Sequence, residues 1–262
     1  MEQASDLSDW EKWHFDHHGF LVLEDVVPAA DVARMVEVGA AWHRMTEQQL
    51  PSPLVRSAPI TSPPPPTYIN HLQYGDEAYH RLALNPEILR VVRALTGGRF
   101  TLVDTALTCM KREGGTLNEG GFHGELGVHV PGSHQPDTIT LRPSHGDTEP
   151  GRQHADYHVT AEGVPFAGFL NCGISLVDVP SGMGFVCLPG SHKRNFRPPD
   201  NDGSNGQSLA GPGVRQISLY DGPPTVYNFC PKKGTCIVFT EALRHGIRSW
   251  DAEYDRLTVF NR

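Results

Sequence analysis

Cysteine is scarce, basic residues hold no majority, and no apolar run approaches the length of a membrane span. Five cysteines in 262 residues, an odd number with no Cys-x-x-Cys pair, sit mostly inside apolar runs such as Phe185–Leu188. They read as small buried thiols and suit a reducing cytoplasm, the expected location. Lysine and arginine number 22 against 30 acidic residues, for a net charge of −8 with no basic run. Nucleic acid and acidic membrane surfaces are thereby poor partners. The start, Met-Glu-Gln-Ala-Ser-Asp, lacks the basic residues and apolar core of a signal peptide, and no stretch is long and apolar enough to span a bilayer. Histidine is the one residue in unusual supply, with 14 copies, many of them between residues 123 and 158.

The first hundred residues carry helical signals. Trp10 to Phe20 reads as a short helix stopped at Gly19, followed by a strand over Phe20–Glu24. Pro28 opens a second helix toward Met45, with Val32, Met35, Val36 and Val38 at helical spacing. Residues 51–67 are proline-rich and read as a stiff surface loop. Asn85-Pro86 caps a further helix that Gly97-Gly98 ends. From Phe100 the pattern turns to strands: Thr101–Lys111, Thr138–Leu141, Phe166–Val179, Phe185–Leu188, Cys236–Thr240 and Arg256–Phe260. Glycine-rich loops fill 112–156 and 197–213.

Helices first and strands afterwards predict a mainly β fold, a helical layer (1–99) supporting a sandwich or jelly roll (100–262), in one domain over 1–262. In the last strand Arg256 and Thr258 share a face, and Leu257 and Val259 share the other. An arginine turned toward a core needs an anion. A metal-ligand histidine at His245, on the neighbouring strand, would put a metal beside a bound organic acid.

Four segments, in order, resemble one family. They are Phe15–Leu23 (FDHHGFLVL), Phe185–Lys193 (FVCLPGSHK), Val238–Gly246 (VFTEALRHG) and Arg256. Together they are similar to the phytanoyl-CoA dioxygenase family of iron(II)- and 2-oxoglutarate-dependent oxygenases. The resemblance implies a double-stranded β-helix, the cupin-like form of jelly roll. It also implies Fe(II), 2-oxoglutarate and O2 as cofactor and cosubstrates, and a small-molecule substrate. The implied reaction hydroxylates an unactivated C–H bond while 2-oxoglutarate is decarboxylated to succinate. His245 would be the distal iron ligand, and Arg256, with Thr258 and Lys111, would hold 2-oxoglutarate.

The family's first two ligands come as His-x-Asp or His-x-Glu, and three pairs here have that form. His145-Gly146-Asp147 carries the usual aspartate and is preferred. His123-Gly124-Glu125, after an aromatic residue, is the alternative, and His154-Ala155-Asp156 is a third. Tyr157, Asn171 and Trp250 are candidate pocket residues, although such side chains more often only pack. His192 belongs more naturally to a structural turn than to a metal site. Every candidate pair retains a carboxylate, which favours hydroxylation or desaturation over halogenation. A jelly-roll protein that binds a small molecule or metal without oxygenation is the reading from another class.

Overall fold

A computed structural model of the chain describes residues 7–57, 67–110, 120–123, 157–193, 227–248 and 250–262. Helix α1 (Asp9–His18) leads into β1 (Phe20–Leu23), and α2 (Ala29–Arg44) follows. Strands β2 (Val55–Ser57) and β3 (Thr67–Asn70) precede α3 (Glu77–Ala83) and α4 (Pro86–Leu95). Then come β4 (Thr105–Met110), β5 (Gly120–His123), β6 (Tyr157–Val159), β7 (Pro165–Ala167), β8 (Leu170–Ser175) and β9 (Gly184–Cys187). The remainder are β10 (Tyr227–Asn228), β11 (Cys236–Thr240), β12 (His245–Arg248) and β13 (Arg256–Asn261).

A seven-stranded sheet, in the order β1-β11-β8-β13-β4-β3-β2, faces a four-stranded sheet, β10-β9-β12-β5. The strand pairs are antiparallel throughout. This is the expected jelly-roll arrangement, with the helices on the outer face of the larger sheet.

Period-two alternation sends neighbouring residues of one strand into two different cores. Leu21, Cys236, Val238, Leu257 and Val259 join the helix-side core with Phe15, Met35 and Val91. Phe20, Ile237, Phe239 and Phe260 turn the other way, to meet Phe185, Cys187, Phe229 and Leu243 between the sheets. Removing any one of these large side chains would cost about 3–5 kcal/mol. The second cluster lines the inter-sheet space, the chamber of the jelly roll.

Ser8 and Glu11 form a capping box at the start of α1, and Gly19 ends the helix in the left-handed region. A Cβ at Gly19 would lie 2.6 Å from Nδ1 of His192, so glycine is required there by contact as well as by φ. His192 is fully buried, and its Nε2–H donates to the carbonyl of Asp16 at 3.1 Å. Asp16 also accepts from Lys193 Nζ at 2.7 Å and from the Tyr157 hydroxyl at 2.6 Å. Burial alone would raise the Asp16 carboxyl, but those two donors outweigh it and hold it below its ordinary value. The Pro-Gly-Ser-His-Lys turn is thus the clasp that fixes the α1–β1 junction to the smaller sheet.

Three expectations change. Part of the proline-rich stretch is edge strand β2, where one side of the backbone needs no ladder partner. Helix α3 escaped notice because it is short, with its apolar residues Ala78, Tyr79 and Leu82 spread over barely two turns. Strand β5 lies within 112–156, where only 138–141 was expected as strand. Its two glycines carry no β signal, and the ladder to β12 supplies the order instead. The 138–141 strand lies outside the described residues. Cys172, Cys187 and Cys236 are buried as expected, while Cys230 is exposed.

Burial, with Lys193 adding to it, pushes His192 down to about 4. Its imidazole is therefore neutral when folded, while the unfolded chain takes up a proton near pH 6.5. Stability should fall as pH drops from about 6.5 to 4, by roughly 3 kcal/mol at the lower end. Urea unfolding at pH 7.5, 6 and 5 measures this. His192→Gln should flatten the profile in that window, and an unchanged slope would remove His192 as its source.

Candidate active site

His245 opens β12, buried at 6 % exposure, with its ring 4.8 Å from Phe239 and 5.6 Å from Phe185. Its Nδ1–H donates to the Leu243 carbonyl at 2.7 Å. That bond selects the tautomer with the lone pair on Nε2 and aims the ring, as a carbonyl partner does for metal-ligating histidines. In the ladders His245 stands opposite Cys187 on one side and His123 on the other. The sheet thus brings the backbone of His123, at the end of β5, alongside the start of β12.

Arg256 begins β13, which runs between β4 and β8, and is only 3 % exposed. Its Nε has no hydrogen-bond partner, and the closest polar contact of its guanidinium is Sδ of Met110 at 3.2 Å. The hydroxyl of Thr258, two residues on, is buried and unpartnered as well. Two orphaned polar groups therefore line one face of one strand, and Phe260 carries that face into the cluster around His245. Burial pulls the Arg256 guanidinium down to about 10, with Tyr68 pushing the other way. Nothing in the local pattern singles out Tyr68. It follows the proline run, and only the β3–β4 register brings it to this chamber.

A Cβ at Gly184, where φ is +72°, would lie 2.8 Å from Val179 and 3.8 Å from Arg256 Nε. Glycine here lets β9 pass close to the arginine. Along β9, Gly184 and Cys187 are three residues apart, about 10 Å at the strand rise. That register sets Arg256 and His245 about 10 Å apart along β9, and a five-carbon diacid with a metal ion would span this slot. A dicarboxylate with one end at Arg256 and Thr258 would present its other end to a metal at His245. The donors fit the anion: a planar guanidinium and a hydroxyl, both buried and without partners.

The other candidates have structural partners. Tyr157 gives its hydroxyl to Asp16 and packs edge-on against His192 at 4.4 Å, within the clasp. Asn171 faces the inter-sheet side, but its amide donates to Glu241 at 2.6 Å and accepts from Arg262 at 3.1 Å. Trp250 is buried, with its indole N–H given to the Tyr254 carbonyl. The polar groups of all three are met within the protein, as those of buried polar aromatics and amides usually are. Lys111, Glu125, His145, Asp147, His154 and Asp156 lie outside the described residues. Among the described residues no group of three or more His, Cys, Asp or Glu could hold a metal.

The family model for phytanoyl-CoA dioxygenase matches residues 15–248. No curated protein matches the sequence at a significant level. Among solved structures, HygX from Streptomyces hygroscopicus, with nickel and 2-oxoglutarate bound, is 22% identical with a TM-score of 0.66. That match covers 98% of this chain and 87% of HygX. The α-ketoglutarate-dependent epimerase SnoN from nogalamycin biosynthesis is 17% identical with a TM-score of 0.60, covering 95% and 80%. EctD from S. alaskensis with bound Fe is 16% identical with a TM-score of 0.58, covering 97% and 75%. At these identities the likeness is one of fold.

Arg256→Gln keeps length and some hydrogen bonding but deletes the charge. It should weaken 2-oxoglutarate binding ten- to a hundredfold, about the 1.5–3 kcal/mol of a charged hydrogen bond. Metal affinity should be nearly unchanged. Titrating 2-oxoglutarate into the metal-loaded variant measures both, and wild-type affinity would remove Arg256 from the slot.

Proposed function

The chain belongs to the phytanoyl-CoA dioxygenase family, iron- and 2-oxoglutarate-dependent oxygenases, and on that premise we propose that it hydroxylates an unactivated C–H bond of a small organic molecule. The observation that carries the reading is the pair of orphaned donors, Arg256 Nε and Thr258 Oγ1, on the face that leads to His245. An anion is the partner these groups need.

When bound, the iron supplies O2 activation coupled to decarboxylation of 2-oxoglutarate to succinate. This chain's residues do the rest. Arg256 and Thr258 hold the distal carboxylate and so set the direction of the cosubstrate. His245 offers Nε2 as one iron ligand, aimed by the Leu243 carbonyl. Phe185, Phe239 and Phe260 keep water from the reacting groups and present an apolar wall to the C–H bond.

The ladder register that sets His123 opposite His245 supports His123 and Glu125 as the other two ligands. A ligand pair at the end of β5 would lie across from the distal histidine with no intervening strand. His145 and Asp147, preferred on residue type, lie outside the described residues. A carboxylate ligand in either pair supports hydroxylation.

The ligand assignment separates cleanly by mutation. His245→Ala and Glu125→Ala should each abolish Fe-dependent conversion of 2-oxoglutarate to succinate and lower metal affinity by at least about tenfold. Asp147→Ala should leave both within about twofold of wild type. The reverse order would return the ligand role to the His145 pair. Incorporation of 18O from O2 into succinate tests the oxygenase chemistry without knowledge of the primary substrate. A +16 Da product tests hydroxylation.

A further inference from the structure

The inner face of the larger sheet carries a row of hydroxyl groups that runs across neighbouring strands. In the ladders Ser175 of β8 stands opposite Thr258 of β13, Thr258 opposite Thr108 of β4, and Thr108 opposite Tyr68 of β3. Alternation fixes the face. Ile174, Val259, Leu107 and Ile69, each one residue along from a member of the row, are buried in the helix-side core. The row therefore looks the other way, into the space between the sheets. Ser175, Thr258 and Thr108 are buried there, and Tyr68 is half-buried.

Arg256 precedes Thr258 by two residues and shares its face, so the row runs past the guanidinium. Burial pulls that guanidinium down, and Tyr68 lies near enough to act against the pull. Arg256 Nε and Thr258 Oγ1 are already without partners. An incoming carboxylate brings two oxygens and about four lone-pair sites. The guanidinium fork meets two of them and the Thr258 hydroxyl a third, which leaves one open toward β4 and β3. Thr108 and Thr258 are direct cross-strand neighbours, with Cβ atoms about 5 Å apart. Tyr68 is one strand further, about 10 Å from Thr258 across the sheet. A tyrosine is long enough to lean over the short threonine between them and reach an anion held at Thr258. Its hydroxyl has no hydrogen-bond partner among the described residues.

We propose that Tyr68 donates its hydroxyl to the distal carboxylate of 2-oxoglutarate, beside Arg256 and Thr258, and so makes the site selective for an oxoacid that ends in a second carboxylate. The inference rests on Arg256 and Thr258 as the oxoacid clamp. Tyr68 is a specificity determinant, supplied by a strand outside the four segments that carry the family resemblance.

The test compares two oxoacids on nickel-loaded protein by calorimetry, at ionic strength matched with chloride. One is 2-oxoglutarate. The other is 2-oxopentanoate, which has the same five-carbon chain with a methyl group in place of the distal carboxylate. Wild type should strongly prefer 2-oxoglutarate. Tyr68→Phe, which keeps the ring and removes only the donor, should weaken 2-oxoglutarate binding about three- to tenfold, as loss of one hydrogen bond does. Its affinity for 2-oxopentanoate and for nickel should stay within about twofold of wild type, and its melting temperature without oxoacid should be unchanged. Wild-type affinity for 2-oxoglutarate in Tyr68→Phe would overturn the proposal. So would an equal loss of both oxoacids, the mark of a merely structural tyrosine. If wild type fails to distinguish the two acids, or Arg256→Gln keeps the wild-type preference, the clamp on which the proposal rests is overturned instead.

Discussion

A guanidinium shut between two sheets, with no carboxylate to meet it among the described residues, is the constraint on which this molecule turns. Taking an ion of that size out of water costs several kcal/mol even after the surroundings relax. Arg256 cannot escape by snorkelling, because β13 is held by hydrogen bonds to β4 on one side and β8 on the other. What it has instead is the soft sulfur of Met110 and the electrostatic help of Tyr68. The charge is thereby already in place for any anion that enters. Binding then spends little on ordering the arginine.

The same strand shows why so expensive a residue is tolerable. Leu257 and Val259 are buried in the helix-side core, while Arg256 and Thr258 occupy the chamber face. A one-residue slip of β13 would place the guanidinium among the helices and leave Leu257 and Val259 in the slot, so register and function are specified by one alternation. The strand β11 repeats the arrangement, with Cys236 and Val238 on one side and Ile237 and Phe239 on the other. The two cores lock each other's register, and the active chamber is the inner core left partly polar.

That alternation is why the burial of His245 and the inward face of Arg256 could be read from the chain alone. Both sit in or beside apolar runs whose period is unambiguous, and α1, α2 and α4 announce themselves by caps and glycine stops. What stayed hidden depends on partners distant in sequence. Tyr157 looks like a pocket tyrosine until Asp16, far away in the chain, takes its hydroxyl. Asn171 looks available until Glu241 and Arg262 occupy its amide. Tyr68 and β5 carry the opposite error: weak local signals whose place is set wholly by a ladder.

A buried arginine with no ion-pair partner among the described residues also bears on how ligands enter. The chain carries a net charge of −8, so at long range it repels anions. That repulsion is screened beyond about 8 Å at physiological ionic strength, whereas a buried guanidinium acts at contact distance and is screened far less. Discrimination therefore rests on desolvated, short-range pairing rather than on steering. A neutral molecule entering the chamber would leave a guanidinium dehydrated and unpaired. An acid of the right length satisfies it, and the fold's standing cost becomes a difference in affinity between the two.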